Sequence, residues 1–279
     1  MRKILAAAFF SLLFFDTVAW AQTPKQSYSV SVVPQFPALE VHRDWTPVLE
    51  RLSKTTGLNF TLDLAPNIPK FEDLVVAGTP DFVYMNPYHQ VMGMRAQAYV
   101  PLLRDSTPLT GILVVRKDDP IRSAHDLDGK QVAFPSPNAF GASLLIRAYL
   151  AEQEKIRITP VYFSTHSNSY RQLAVGKVAA AGGVNHTLSQ EPESLRNALR
   201  VLMETPGAPP HPLSAHPRVP ESVRKLVTEA MLAMTGDAIG QAQLKAIDMP
   251  SPMRADYARD YQPLEKMGLE KYVVKPAKP

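Results

Sequence analysis

The strongest constraint in this 279-residue chain is an alternation of period. Short β-branched or alternating runs are followed repeatedly by stretches with apolar residues at offsets 0, 3, 4 and 7. Tyr28 to Val33 reads as a strand and is closed by the Pro34-Gln35-Phe36-Pro37 loop. Arg43 to Thr56 then carries Trp45, Val48, Leu49 and Leu52 on one helical face, with Gly57 as its stop signal. Leu58 to Leu64 alternates as a half-buried strand, Lys70 to Ala77 is helical, Asp81 to Met85 is a short buried strand, and Pro87 opens a helix reaching Gln97.

The same grammar continues after residue 110. Strands are predicted over Gly111–Val115, Gln131–Phe134, Thr159–Phe163, Val178–Val184 and Leu199–Met203. Helices are predicted over Phe140–Glu152 and Ser169–Val175, with a turn at Asp118-Asp119-Pro120. Strands alternating with helices predict α/β layers with mainly parallel sheets flanked by helices. A Pro-rich stretch, Thr205 to Pro212, then interrupts the pattern, and helices follow over Val223–Met234, Asp237–Ala246 and Pro252–Met267. A faint internal echo suggests two similar lobes. Gly78-x-x-Asp81 leads into a strand ending near Asn86, and Gly176-x-x-Ala179 into one ending near Asn185.

The N-terminus reads as an export signal. Arg2-Lys3 is followed by an apolar run from Ile4 to Phe15, and Ala19-Trp20-Ala21 fits a cleavage site, so residues 1–21 are expected to be removed. The expected location is the periplasm. With no cysteine at all, disulfides, thiolate metal sites, thiol catalysis and a lipidated N-terminal cysteine are excluded. The net charge of +4 is scattered, with no Lys/Arg run longer than two, so no nucleic-acid partner is expected.

In open α/β sheets, ligands bind beyond the carboxyl ends of the strands. Five polar segments fall there: Gln35-Phe36, Asn86 to His89, Ser136 to Phe140, Thr165 to Ser169, and Asn185 to Thr187. Asn138, Ser167 and Thr187 read equally well as ordinary N-caps. Among seven histidines, His89, His166 and His186 lie in these segments, whereas His42, His125, His211 and His216 read as surface residues. No nucleophile motif, phosphate loop or metal-binding His spacing occurs, so no enzyme, metal or cofactor is expected. Asp81 sits at the opposite strand end and reads as structural.

From about Tyr28 to Tyr272 the sequence resembles the phosphate/phosphite/phosphonate-binding periplasmic proteins of ABC transporters. The resemblance is carried by Trp45 to Leu52, by Gly78-Thr79-Pro80-Asp81-Phe82-Val83-Tyr84-Met85-Asn86-Pro87-Tyr88-His89, by Gly111 to Arg116, and by Asp126 to Phe134, in this order. It implies a type II two-lobed periplasmic binding protein closing over a small solute by a hinge motion. One lobe would comprise residues 27–108 with 206–279, and the other residues 109–205. The implied partners are a small-molecule solute, an oxyanion favoured, and an ABC permease, with the protein a monomer. A sensing subunit for a histidine kinase or chemoreceptor is the alternative use of the same fold, with a periplasmic enzyme a more distant one.

The expected ligand-binding residues are Phe36, Asn86, Tyr88, Ser136, Asn138, Ala139, Phe140, His166, Ser167 and Asn185. Tyr88 and Phe140 would stack or cover the solute, the polar side chains would donate hydrogen bonds, and the amides of Ala139 and Phe140 would complete an anion cradle. His166-Ser167 matches the family's His-bearing loop. The family's Ser/Thr-Ser-Gly anion loop is here Asn138-Ala139-Phe140-Gly141, Ala179 stands where Asp is usual, and Leu109-Thr110-Gly111 replaces an aromatic near the first crossover. These departures leave open an oxyanion or a neutral polar solute stacked on Phe36, Tyr88 or Phe140.

Overall fold

The structure is a computed structural model that describes residues 26–274; the export signal read at residues 1–21 lies outside these. The chain runs β1 (Ser27–Val32), α1 (Ala38–Thr56), β2 (Asn59–Leu64), α2 (Ile68–Ala77), β3 (Phe82–Tyr84), α3 (Pro87–Gln97) and β4 (Val100–Asp105). It then crosses into β5 (Gly111–Arg116), β6 (Gln131–Phe134), a π-helical turn (Phe140–Leu144) continuous with α4 (Leu145–Glu152), and β7 (Thr159–Tyr162). Next come α5 (His166–Ala174), β8 (Ala180–Val184), α6 (Asn185–Ser189), α7 (Glu193–Ala198) and β9 (Leu199–Glu204). It returns through β10 (Pro212–Ala215), α8 (Glu221–Ala233), α9 (Ala238–Ala246) and β11 (Pro252–Arg254), and ends in short π and 3-10 turns.

Two sheets result, ordered β11-β4-β10-β3-β1-β2 and β7-β6-β8-β5-β9. The two-lobed α/β plan is as expected, but each sheet is mixed rather than mainly parallel. β1 pairs in parallel with β2 and β3, and β6 with β7 and β8, because helices return the chain to the same edge. β10, β11, β5 and β9 pair antiparallel, because the chain enters or leaves a sheet through them. The two crossings lie side by side: the amide of Leu109 donates to Ala208 O (2.8 Å) and that of Ala208 to Leu109 O (2.9 Å).

Helix α1 buries the predicted face, Trp45, Val48, Leu49 and Leu52, and starts earlier than predicted, at Ala38, where Val41 adds a turn to the same face. β4 and β10 have no matching sequence prediction. β10 lay hidden in the Pro-rich stretch; Pro212 opens the strand, where its missing N–H costs no ladder bond, and its carbonyl accepts from Met85 N (3.2 Å). The predicted helix over Pro252–Met267 is absent. β11 and π and 3-10 turns replace it, because Arg254 and Met253 pair with β4. The internal echo is structural. Gly78 and Gly176 both take left-handed φ, +70° and +76°, where a helix ends and turns toward a strand. Asn86 caps α3 whereas Asn185 is the first residue of α6, which accounts for the one-residue offset.

Asp81 is structural, as expected. Its carboxylate accepts from Ser29 N (2.9 Å), Ser29 Oγ (3.2 Å) and Arg218 Nε (2.6 Å), tying β1 and β3 to the segment after β10. Asp81→Ala is expected to cost about 2–3 kcal/mol, the scale for losing charge-assisted bonds. A urea titration should show a lower midpoint at unchanged slope.

Candidate functional site

The second-lobe helix begins unusually close to its sheet. A Cβ on Gly111 would stand 2.2 Å from Gly141 O, and one on Gly182 only 2.1 Å from Ala142 O, so these two glycines let the π turn rest on β5 and β8. Within that turn, Ala139 O accepts from both Ser143 N (2.8 Å) and Leu144 N (3.0 Å). The amides of Phe140, Gly141 and Ala142 precede the first helical bonds and have no partner among the described residues.

These amides border a small cavity of about 10 Å³, lined by Val33, Gln35, Ile68, Asn86, the 139–142 turn, His166, Val184 and His211. Both lobes contribute to it. Its size is that of one water, so admitting a larger solute there requires its lining to move apart. A second cavity of about 580 Å³ adjoins it through Val184 and His211, and extends past Leu109, Thr110, Asn185, His186, Asp105 and Asp248 toward the crossing strands. Among the described residues no lysine or arginine lines either cavity.

Of the predicted residues, Asn86, Ala139, Phe140 and His166 meet at the small cavity. Asn86 caps α3 by accepting from His89 N (2.8 Å), and its amide donates across the lobes to Asn138 O (3.2 Å). Asn138 is turned away from the cavity. Its amide donates to Glu72 Oε2 (3.2 Å) and Val274 O (2.9 Å), and its Oδ1 accepts from Val274 N (3.1 Å). Tyr88 lies in an apolar cluster with Phe140, Leu144, Leu145 and Tyr261, so the Tyr88 ring packs the lobes together rather than facing a solute. The Phe140 ring joins the same cluster and anchors the turn.

Ser136 is buried beneath the turn, where its carbonyl accepts from Ala139 N (3.3 Å). Ser167 donates to Glu191 and does not line either cavity. Asn185 lines the larger cavity, where its amide donates to Thr110 Oγ1 (3.3 Å) and Glu204 Oε1 (3.2 Å). Phe36 meets His186 edge to face across the lobes, with ring centroids 5.9 Å apart. His186 in turn lies 3.4 Å from Asp248.

His211 is the main omission. Read from sequence as a surface residue, it is buried, stacks on Tyr84 (5.6 Å between centroids), and borders both cavities. Its flanking prolines suggest an exposed loop, but they also hold the extended backbone that enters β10. Gln35 also reaches the cavity, one residue from the predicted Phe36.

Burial pushes the imidazoles of His166 and His211 down to about 3. Neighbouring His186 lowers both further, and His89 and His166 add to the effect on His211. In the unfolded chain each titrates near 6.5. As the pH falls below that value, the unfolded state takes up protons that the folded state does not. Stability present above about pH 6.5 is therefore lost toward acid, by up to about 1.4 kcal/mol per pH unit for each imidazole. The melting temperature should drop between about pH 7 and pH 5, and more gently in His211→Gln. A flat profile would contradict this.

Among the described residues no cluster of His, Asp and Glu could hold a metal ion, and no helix is long and apolar enough to cross a membrane. No curated protein matches the sequence. A binding-protein component of an ABC phosphonate transporter from Pseudomonas aeruginosa superposes with TM-score 0.79 at 15% identity, over 88% of this chain and 87% of that one. PhnD1 from Prochlorococcus marinus, solved with methylphosphonate, gives 0.80 at 13% identity over 88% and 98%. XAC2383 from Xanthomonas citri, solved with ATP, gives 0.74 at 15% identity over 90% and 100%. At these identities the likeness is one of fold. A family model described as "ABC transporter, phosphonate, periplasmic substrate-binding protein" matches residues 30–261. The chain thus belongs to the family of periplasmic substrate-binding proteins of phosphonate ABC transporters.

Proposed function

We propose that this protein captures a small oxyanion of the phosphonate or phosphate class between its lobes and delivers it, without turnover, to an ABC permease from the periplasm. The observation that carries this reading is the two-sided cavity. Gln35, Asn86 and His211 come from one lobe, while the free amides of the 139–142 turn and His166 come from the other. Unpaired amides at a helix start favour an anion without lysine or arginine. A ligand touching both sides would hold the lobes closed. In this reading the lobes are residues 27–108 with 206–279, and residues 109–205. Asn86, Ala139, Phe140 and His166 act directly, with Gln35 and His211 added. Asn138, Tyr88, Ser136 and Ser167 support the site from behind.

Thermal melts of residues 22–279 with methylphosphonate, phosphate, phosphite and sulfate test the proposal. A bound ligand at 100 times its Kd should stabilise by about 2.7 kcal/mol. Unchanged melting with every one of these would overturn it.

A further inference from the structure

His166 is wired so that it cannot donate to a ligand while neutral. Its Nδ1 lies 3.0 Å from Thr187 Oγ1, which has a single hydrogen and four close neighbours. Val184 O, at 2.9 Å, can only accept, so the Thr187 hydroxyl donates to it. The Val184 amide donates weakly to Thr187, at 3.4 Å; Tyr170 Oη, at 2.8 Å, must then donate to Thr187, and so must Nδ1–H of His166. This is the assignment in which every contact pairs a donor with an acceptor. Nδ1 of His166 therefore carries the hydrogen, and Nε2 is left with a lone pair. Nε2 has no partner among the described residues, and the ring, 3% exposed, borders the small cavity.

The surroundings do not supply a charge. On the first-lobe side the ring meets a cavity wall made by Gln35, Asn86 and His211. Of the nearby carboxylates, Glu191 accepts from Ser167, Asp248 faces His186, and both oxygens of Asp105 accept from the amides of Thr107 and Ser251. None of them hydrogen-bonds His166 or His211. Burial disfavours charging either ring in the ligand-free protein.

We propose that His166 makes this cavity a receptor for the proton-bearing form of a small oxyacid. The closed complex holds one proton between a ligand oxygen and Nε2 of His166. The inference rests on the oxyanion reading above. A ligand such as monobasic phosphate brings that proton on its own P–OH and donates it to Nε2. A fully deprotonated anion such as sulfate has none to bring, so a proton from solvent must first bind Nε2. Selection against proton-free anions at neutral and alkaline pH follows. Thr187 is the positioning residue that holds the tautomer.

Isothermal titration with methylphosphonate and with sulfate, each in two buffers of different ionisation enthalpy, reads the proton count directly. Methylphosphonate affinity should fall about tenfold per pH unit once methylphosphonate loses its second proton, and with it its last P–OH, with proton uptake appearing over the same range. Sulfate should bind only toward acid, taking up close to one proton. His166→Gln, whose amide donates without titrating, should retain methylphosphonate binding with a flattened profile and admit sulfate at neutral pH. Nitrogen NMR of the ligand-free protein should show His166 neutral, with its hydrogen on Nδ1. Methylphosphonate binding that is independent of pH, sulfate bound as tightly as methylphosphonate at neutral pH, or a hydrogen on Nε2 would each overturn this inference while leaving the oxyanion reading in place. Failure of both anions to bind at any pH overturns both.

Discussion

His89→Ala is expected to destabilise the protein by about 3–5 kcal/mol, the cost of leaving a buried charge without its partner. Glu72 and His89 are 2% and 1% exposed. Glu72 Oε1 lies 3.0 Å from His89 Nε2. A carboxylate can only accept, so Nε2–H donates to it, and the amide of Asn86 turns to Asn138 O instead. The other carboxylate oxygen accepts from Asn138 across the lobes. Removing the imidazole strands this carboxylate and opens a void beside Phe71, whose ring lies 5.4 Å from that of His89. Glu72→Gln can still accept from Nε2–H, so the double variant should lose less than the sum of the two single variants. Chemical denaturation of all three proteins checks this. Additive losses would mean that the pair is not coupled.

Gly182→Ala is expected to have a comparable effect on stability and a larger one on binding. The new methyl would stand 2.1 Å from Ala142 O and 2.5 Å from the Phe134 ring. Backbone cannot yield as a flexible side chain does. Relief must come from lifting the 139–142 turn off β8, at a cost of about 3 kcal/mol. The same shift moves the free amides of Phe140 and Gly141 away from the cavity, so solute affinity should fall by at least about tenfold. Gly236→Ala is the control, because a Cβ there meets nothing within 4 Å and its φ is not left-handed. Equal melting temperatures for the two variants would remove the close-approach argument.

Much of the architecture is legible in the sequence, because local periodicity reports which face of an element is buried. The strand at Gln131–Phe134, the helix from Pro87 to Gln97 and the apolar face of α1 all match. Periodicity misleads where burial comes from both sides or from a partner distant in sequence. β10 is four residues long, and every one of them is buried between β3 and β4, so it has no alternation to read. The stretch from Pro252 to Met267 carries apolar residues at helical spacing, yet its first residues complete the edge of a sheet. Pairing with β4 outweighs a weak local preference.

The site shows the same division more sharply. The residue types at the strand ends pointed to these loops, and Asn86, Ala139, Phe140 and His166 do converge on one cavity. Which atoms of those loops reach the cavity depends on contacts between the lobes. Asn138 is drawn to Glu72 and Val274, Tyr88 to the interlobe apolar cluster, and Ser167 to Glu191. By itself the sequence determined a two-lobed α/β chain of a recognisable family, because these follow from the order and periodicity of local segments. Only the tertiary structure decided that His211 belongs to the cavity, that Gly111 and Gly182 seat the 139–142 turn, and that His166 Nδ1 meets Thr187. Each of these depends on the distance between atoms far apart in sequence, and that distance is set by packing.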